Sequence, residues 1–139
     1  MYGALDISVG GMIAQRTRMQ TIAANIANQN VLEDSSGRYA PYLRREVMFS
    51  PGDPGAGSPQ AREMGVHVSE IVQNPNALRA KYMPGSPHDT DGDGYVMVPD
   101  INPIVEQVNA MEAARAYEAN VVAAEAAKTM MAQALRLLA

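Results

Sequence analysis

The sequence predicts a mainly α-helical fold in which a long helix at each end of the chain frames a small β-rich insert. Near both ends, apolar residues recur every seven positions, a spacing typical of helices that pair like a coiled coil. All nine prolines except Pro103 lie between residues 31 and 100, where short runs alternate in hydropathy. Such alternation is typical of half-buried strands and not of helices.

The first region, residues 1–30, carries an apolar stripe with a period of seven residues, formed by Leu5, Met12, Met19 and Ile26. This stripe predicts a regular helix from Met12 to Asn28. Before Gly11 the pattern favours a helix less, because each glycine inside a helix costs about 1 kcal/mol.

The last region, residues 101–139, begins with Asn102 as a predicted N-cap and Pro103 at the first helical position. No glycine or proline follows Pro103, so we expect a rod of about 54 Å at 1.5 Å per residue. A heptad sustained over such a length indicates a coiled coil. Two sets of positions carry it: Ala110, Tyr117, Ala124, Met131 and Leu138, and, four residues after the first four of these, Ala114, Val121, Lys128 and Leu135.

The middle region, residues 31–100, contains four short runs rich in Val, Tyr and Ile. These are "YLRREVMFS", "GVHVSEIV", "LRAKYM" and "GYVMV". We predict that each run forms a strand. Residues 50–60, "SPGDPGAGSPQ", are rich in Pro, Gly and Ser and predict a mobile loop.

The composition narrows the functional class. Apolar residues make up 47% of the 139 residues, which speaks against disorder. One Phe, no Trp and ten Met supply little for a globular core but suit contacts between helices. The net charge of −4 argues against a nucleic-acid partner. The absence of cysteine excludes disulfides and fits a protein that enters an oxidising compartment.

Two expectations concern membranes and export. The N-terminus lacks a basic stretch, and Asp6 and Gly10 interrupt its apolar residues, so we expect no cleaved signal peptide. No run approaches the roughly 18 apolar residues of a membrane span. The sequence therefore predicts a cytosolic protein, or one that is exported without a cleaved signal.

Asparagines lie where the first helix should end. Asn25 and Asn28 are three residues apart and share one face, and Asn120 stands three residues after Tyr117 in the last helix. Asparagine can stop a helix by adopting the left-handed conformation. Buried amides can instead fix the register of paired helices at some cost in stability.

An acidic segment resembles a calcium-binding loop. Asp89, Asp91 and Asp93 stand at the first, third and fifth loop positions, and Asp100 stands at the twelfth. The flanking residues predict strands and not the helices of an EF-hand. Two interpretations stay open: a weak calcium site, or an acidic turn between strands.

No residue set predicts catalysis. His67 and His88 are the only histidines, and neither has a partner at metal-ligand spacing. No nucleophile motif or phosphate-binding loop is present. The pair Arg44–Arg45 could bind an anion or form a solvated strand face. We therefore expect no enzyme activity and no cofactor.

Several motifs together resemble the bacterial flagellar axial proteins. They are "ALDISVGGMIAQRTRMQTIAANIANQNV", "PYLRREVMF", "GYVMVPDIN" and "AARAYEANVVAAEAAKTMMAQALRL", in that order along most of the chain. The short insert is similar to that of the short, proximal rod subunits and shorter than that of hook and distal-rod proteins. Two departures are Asp100–Ile101 in place of the family's Asn–Val, and Val31 in place of its threonine.

The resemblance implies a structural subunit whose terminal helices form the inner layer of a helical tube around an export channel. It implies a drive shaft in the periplasm and export by the flagellar type III apparatus. The implied partners are other copies of the chain and other rod subunits. Its implied interface residues are Leu5, Met12, Met19, Asn25, Ile26, Asn28, Tyr117, Asn120, Val121, Ala124, Met131, Leu135 and Leu138. A soluble calcium-responsive binding module using Asp89–Asp100 remains the alternative.

Overall fold

The computed structural model describes residues 2–138, without the side chains of Tyr2 and Leu138. Its elements follow the predicted order, and the predicted fold class is confirmed. They are helix α1 (Tyr2–Ala27), strand β1 (Arg45–Pro51), helix α2 (Pro59–Met64), strands β2 (Val66–Gln73), β3 (Leu78–Tyr82) and β4 (Tyr95–Pro99), and helix α3 (Pro103–Leu138).

Helices α1 and α3 pack against each other in opposite directions. The side chain of Arg18 forms an ion pair with Glu112 at 3.0 Å, and Asn25 near the end of α1 contacts Glu106 near the start of α3. Helix α3 has 36 residues and α1 has 26. The last turns of α3, nearly three of them at roughly 3.6 residues each, therefore extend beyond the start of α1.

The glycines of α1 mark the closest approaches of this helix to its neighbours. A Cβ atom at Gly11 would lie 2.6 Å from Oδ1 of Asn120 on α3. A Cβ atom at Gly10 would lie 3.1 Å from the carbonyl oxygen of Val66 on β2. The expectation of a weaker helix before Gly11 is therefore wrong, because packing that only glycine permits offsets the low helix propensity.

The insert forms two separate antiparallel sheets of two strands each, β1–β2 and β3–β4. In the first sheet, Arg45 lies opposite Gln73 and Met48 opposite Glu70, and a bulge follows at Ser69. In the second sheet, Leu78 lies opposite Pro99. All four predicted strands are confirmed, three of them within one residue at each end, while β1 begins three residues after the start of its predicted run.

The buried core is small. Its apolar members among the described residues are Ala14, Ile22, Ala61, Ala77, Val96, Val98, Ile101, Ala113 and Ala127. Most of these are alanines, which bury little surface each. At roughly 25 cal/mol per Å² of apolar surface, such a core stabilises the single chain only modestly. None of the helices in residues 2–138 is long and apolar enough to cross a membrane.

The segment 50–60 contacts strand β2 and leads into helix α2. The hydroxyl oxygen of Ser58 accepts a hydrogen bond from the backbone N–H of Ala61 at 3.3 Å, and Pro59 occupies the first turn of α2. Nδ1 of His67 lies 2.6 Å from the carbonyl oxygen of Gly52, so this nitrogen carries the donated hydrogen. Helix α2 was not predicted, although a serine cap followed by proline is a recognised start signal.

Residues 33–39 form a tight turn that lies beside the second sheet. Glu33 and Tyr39 are bridged by backbone pairing, and His88 stacks on the ring of Tyr39. The carboxylate of Asp34 accepts hydrogen bonds from the side chain and backbone of Ser36 and from the backbone N–H of Arg38. The Ser36 hydroxyl and these N–H groups lower the pKa of Asp34 to about 2. The turn therefore keeps its charged carboxylate at neutral pH.

The close approach at Gly11 leads to a stability prediction. Gly11→Leu should lower the free energy of unfolding by about 1–3 kcal/mol, because a larger side chain must push the helices apart. Urea unfolding followed by circular dichroism measures this. Ala23→Leu adds a comparable side chain at an exposed position of the same helix and should change stability by less than about 0.5 kcal/mol. Equal stability of the two variants would contradict the close packing of α1 on α3.

Candidate subunit interface

A buried polar cluster joins α1, β1 and α3. Asn25 is 1% exposed, and its side chain uses all four of its hydrogen-bonding positions. Nδ2 donates to the carbonyl of Arg45 at 2.9 Å and to Oε2 of Glu106 at 3.2 Å. Oδ1 accepts from the backbone N–H of Arg45 at 2.9 Å and from the hydroxyl of Tyr42 at 3.1 Å. The amide thus pairs with Arg45 as a neighbouring strand would.

Glu106 supplies the charge of this cluster and is 1% exposed. Its Oε1 accepts hydrogen bonds from Arg44 Nε at 2.9 Å and Nη2 at 2.8 Å. Arg44 also pairs with Glu46 on β1. A buried carboxylate without a partner costs several kcal/mol, so Glu106 requires both Arg44 and Asn25.

Tyr42 lies at the edge of the same cluster. Burial raises the pKa of its hydroxyl above the ordinary 10.0, the positive charge of Arg45 opposes the shift, and the negative charge of Glu106 adds to it. The guanidinium of Arg45 lies 5.5 Å from the centre of the Tyr42 ring. The neutral hydroxyl is therefore favoured where it donates to Asn25.

These contacts change the interpretation of Asn25. The residue was expected at an interface with another chain, but all of its hydrogen bonds are made within one chain and its side chain is buried there. Arg44, expected on a solvated strand face or at an anion site, instead belongs to the internal cluster. The sequence signal for this internal cluster was an asparagine in the last turn of the predicted first helix.

Asn28 and Asn120 differ from Asn25. The side chain of Asn28 donates to the carbonyl of Ala24 at 2.8 Å and lies half-buried just after α1 ends. This contact fits the helix-stop interpretation. Asn120 donates to the carbonyl of Ala116 at 2.8 Å and fills the space opposite Gly11. Asn120 therefore lies between the two helices of one chain.

The face of α3 that contacts α1 follows a line of residues seven apart. Its members are Glu106, Ala113, Asn120 and Ala127. The predicted stripe lies beside this line. Other residues that were expected at an interface keep part of their surface uncovered and are half-buried in the single chain: Leu5, Met12, Met19, Ile26, Tyr117, Val121, Ala124 and Met131.

Beyond the start of α1, the apolar face of α3 has no cover from its own chain among the described residues. Leu135 is 68% exposed and lies about one turn after Met131. The side chain of Leu138, also expected at the interface, lies outside the described residues. These last turns therefore present apolar surface that only another molecule can bury.

A second apolar stripe follows the solvent side of α3, away from α1. Its residues recur at helical spacing, and each is at least half exposed: Ile104, Val108, Met111, Val122, Met130 and Leu137. On α1, Val9 and Ile13 are exposed as well. Contiguous apolar surface of this kind marks sites of interaction with other molecules. Sequence reasoning did not single out this stripe, because its period is broken by Arg115 and Glu118.

The structure does not assemble a calcium loop. The carboxylate of Asp89 accepts hydrogen bonds from the backbone N–H groups of Gly92 and Gly94, and Asp93 accepts from Tyr95. Asp100 lies at the far end of β4, a strand of five residues, and so roughly 16 Å from this turn. The calcium alternative is therefore replaced by the acidic turn. Among residues 2–138, no group of three or more His, Asp or Glu side chains could hold a metal ion.

Comparisons with known proteins find sequence relatives over both ends of the chain. The family model "Flagella basal body rod protein" matches residues 5–31, and "Flagellar basal body rod FlgEFG protein C-terminal" matches residues 93–137. The flagellar basal-body rod protein FlgC of Buchnera aphidicola from Acyrthosiphon pisum is 32% identical over 99% of this chain and 97% of that protein. FlgC of Escherichia coli O157:H7 is 33% identical over the same shares. FlgC of Bacillus subtilis is 31% identical over 98% of this chain and 97% of that protein.

The buried cluster predicts unequal effects of two similar substitutions. Asn25→Leu should lower the free energy of unfolding by about 2–4 kcal/mol, because it leaves the Arg45 backbone and Glu106 without partners. Asn28→Leu removes one bond to a carbonyl near the helix end and should cost less than about 1 kcal/mol. Urea unfolding of both variants measures the two losses in the free energy of unfolding. Similar losses in the two variants would contradict the assigned role of Asn25.

The raised pKa of Tyr42 predicts a loss of stability in alkali. Above pH 10.0 the unfolded chain loses the Tyr42 proton while the folded chain retains it, so the free energy of unfolding falls as the pH rises toward the folded pKa. Urea unfolding from about pH 9 to about pH 11 measures this slope. Tyr42→Phe should be less stable at pH 9 but show a shallower slope. If Tyr42→Phe shows the same slope as the unmodified chain, a group other than Tyr42 causes the loss of stability in alkali.

Proposed function

Because this chain belongs to the FlgC family of flagellar basal-body rod proteins, we propose that it is a structural subunit of the rod and packs its paired terminal helices against those of its neighbours. The observation that carries this proposal is the apolar surface that one chain leaves uncovered on α3. This surface includes Leu135 beyond the start of α1 and the stripe that contains Val122.

The energetic balance favours assembly. Burying one Val, Leu, Ile or Met side chain stabilises by about 1.5–3 kcal/mol, so the six exposed stripe residues of α3 supply roughly 10–20 kcal/mol before costs. Association costs an estimated 4–15 kcal/mol. The small alanine-rich core of the isolated chain contributes less apolar burial than the surface that assembly would cover. Neighbouring helices are therefore expected to complete the fold.

The finer role follows from the family. We infer that the subunits form the inner layer of a tube, with residues 1–30 and 101–139 in that layer and residues 31–100 outside it. We infer further that the tube transmits torque across the periplasm and surrounds the export channel. Export through the type III apparatus without a cleaved signal is consistent with a chain that lacks cysteine.

A non-catalytic role is part of the same proposal. Asn25 and Glu106, the largest buried polar side chains among the described residues, direct their polar atoms to partners within the chain. The partners are then other rod subunits, including further copies of this chain, and not a small molecule. Deletion of the chain should abolish motility, and the chain should be present in basal bodies purified from a wild-type strain. Its absence from those basal bodies would contradict the rod assignment.

The uncovered end of α3 predicts an assembly defect. Leu135→Glu should lower the amount of the chain recovered in purified basal bodies at least about tenfold, because a buried unpaired charge costs several kcal/mol. Arg136→Glu changes an exposed position that already carries a charged side chain and lies between the two apolar surfaces of α3, so it should change recovery less than about twofold. Quantitative immunoblotting of basal bodies gives both values. Equal recovery would contradict the burial of Leu135 in the rod.

A further inference from the structure

Four strand edges border the two sheets, and the chain itself covers two of them. The amide of Asn25 pairs with the backbone of Arg45 on the outer edge of β1. The hydroxyl of Tyr39 donates to the carbonyl of Met97 on the outer edge of β4 at 2.7 Å. Strands β2 and β3 have no comparable cover within residues 2–138, and residues 69–73 and 79–82 are exposed. Unpaired edges of this kind are templates for pairing with another chain.

The ladders define which backbone groups of these two edges point outward. The N–H of Asn74 donates to Arg44 across the first sheet, so the alternation directs the backbone of Ile71 and Gln73 away from β1. The N–H of Asp100 donates to Ala77, and that of Met83 to Gly94. The same alternation directs the backbone groups of Leu78, Ala80 and Tyr82 away from β4.

The two open edges match each other in register and charge. If Ile71 lies opposite Ala80 in an antiparallel pair, Gln73 lies opposite Leu78, and both pairs can exchange backbone hydrogen bonds. Glu70 then lies opposite Lys81. Both side chains are exposed, and neither forms an ion pair within the described part of the chain. Opposite charges at directly facing positions stabilise a strand pair.

One chain does not make this pairing itself. The segment 74–77 is anchored at both ends, by Asn74 to Arg44 of the first sheet and by Ala77 to Asp100 after the second. It thereby separates β2 and β3 into different sheets. A second copy of the chain supplies the matching edge.

We propose that β2 of one copy pairs with β3 of the next copy and joins the two sheets into one four-stranded sheet across the subunit boundary. This inference rests on the proposed rod function and adds a contact outside the helical layer. Because the two edges differ, the contact is head-to-tail and repeats in one direction, as an open helical assembly requires. The bulge at Ser69 ends the pairing beyond Glu70.

Engineered cysteines test the pairing directly, since the chain has none of its own. Val72 and Arg79 would form a pair without backbone hydrogen bonds, with Cα atoms about 4.5 Å apart, which suits a disulfide. Two differently tagged full-length chains, Val72→Cys and Arg79→Cys, are expressed together, and purified basal bodies are oxidised. We expect a disulfide between the two tags on a non-reducing gel.

The matched control combines Val72→Cys with Arg62→Cys, an exposed position on α2 away from both edges. This combination should give no disulfide. If both edge variants are recovered in basal bodies with reactive thiols and no disulfide forms, the pairing is overturned while the rod function stands. Absence of the unmodified chain from basal bodies would instead overturn the rod function.

Charge reversal gives a second measurement that does not depend on the cysteine variants assembling. Glu70→Lys and Lys81→Glu should each lower recovery in basal bodies about two- to fivefold, and the double variant should restore most of it. Glu63→Lys, at an exposed position of α2, should have no effect. A double variant that is recovered no better than the poorer single variant overturns the proposed register.

Discussion

The buried amide of Asn25 is the contact on which the arrangement of this chain depends. It connects the last turn of α1 to the backbone of β1 and to Glu106 at the start of α3. Because Glu106 also binds Arg44, the cluster fixes the insert against both helices at one end of the pair. Each partner would be left buried and unsatisfied without the others, so the cluster specifies one geometry more than it adds net stability.

Away from this cluster, the helices contact each other through small residues. Gly11, Ala14, Ala113 and Ala127 allow close approach but bury little apolar surface. The larger apolar side chains, such as Val122 and Leu137, lie on the outside. A chain built in this way obtains its orientation from internal hydrogen bonds and most of its apolar burial from neighbours. That division suits a subunit whose stable form is the assembly.

The sequence predicted the elements whose patterns are local. The heptads of both helices, the four alternating strands and the Asn102–Pro103 start signal all correspond to observed elements. The partners of Asn25 lie 17 to 81 residues away in sequence, and Glu106 lies 62 residues from Arg44, so no local pattern reports these contacts. The glycines before Met12 misled for the same reason, since their packing against Asn120 and Val66 is a tertiary effect. The acidic turn misled because spacing alone does not reveal that a strand separates Asp100 from Asp89.

The two kinds of unfilled surface differ in what they can specify. Apolar burial along α3 is strong but tolerant of sliding, because Val, Met and Leu side chains recur at similar spacing along the helix. A strand edge is weaker but exact in register, since a shift of one residue turns every side chain to the other face. A subunit that presents both can gain affinity from the helices and a defined axial position from the sheet. The cover of β1 by Asn25 and of β4 by Tyr39 leaves the edges of β2 and β3 for that purpose.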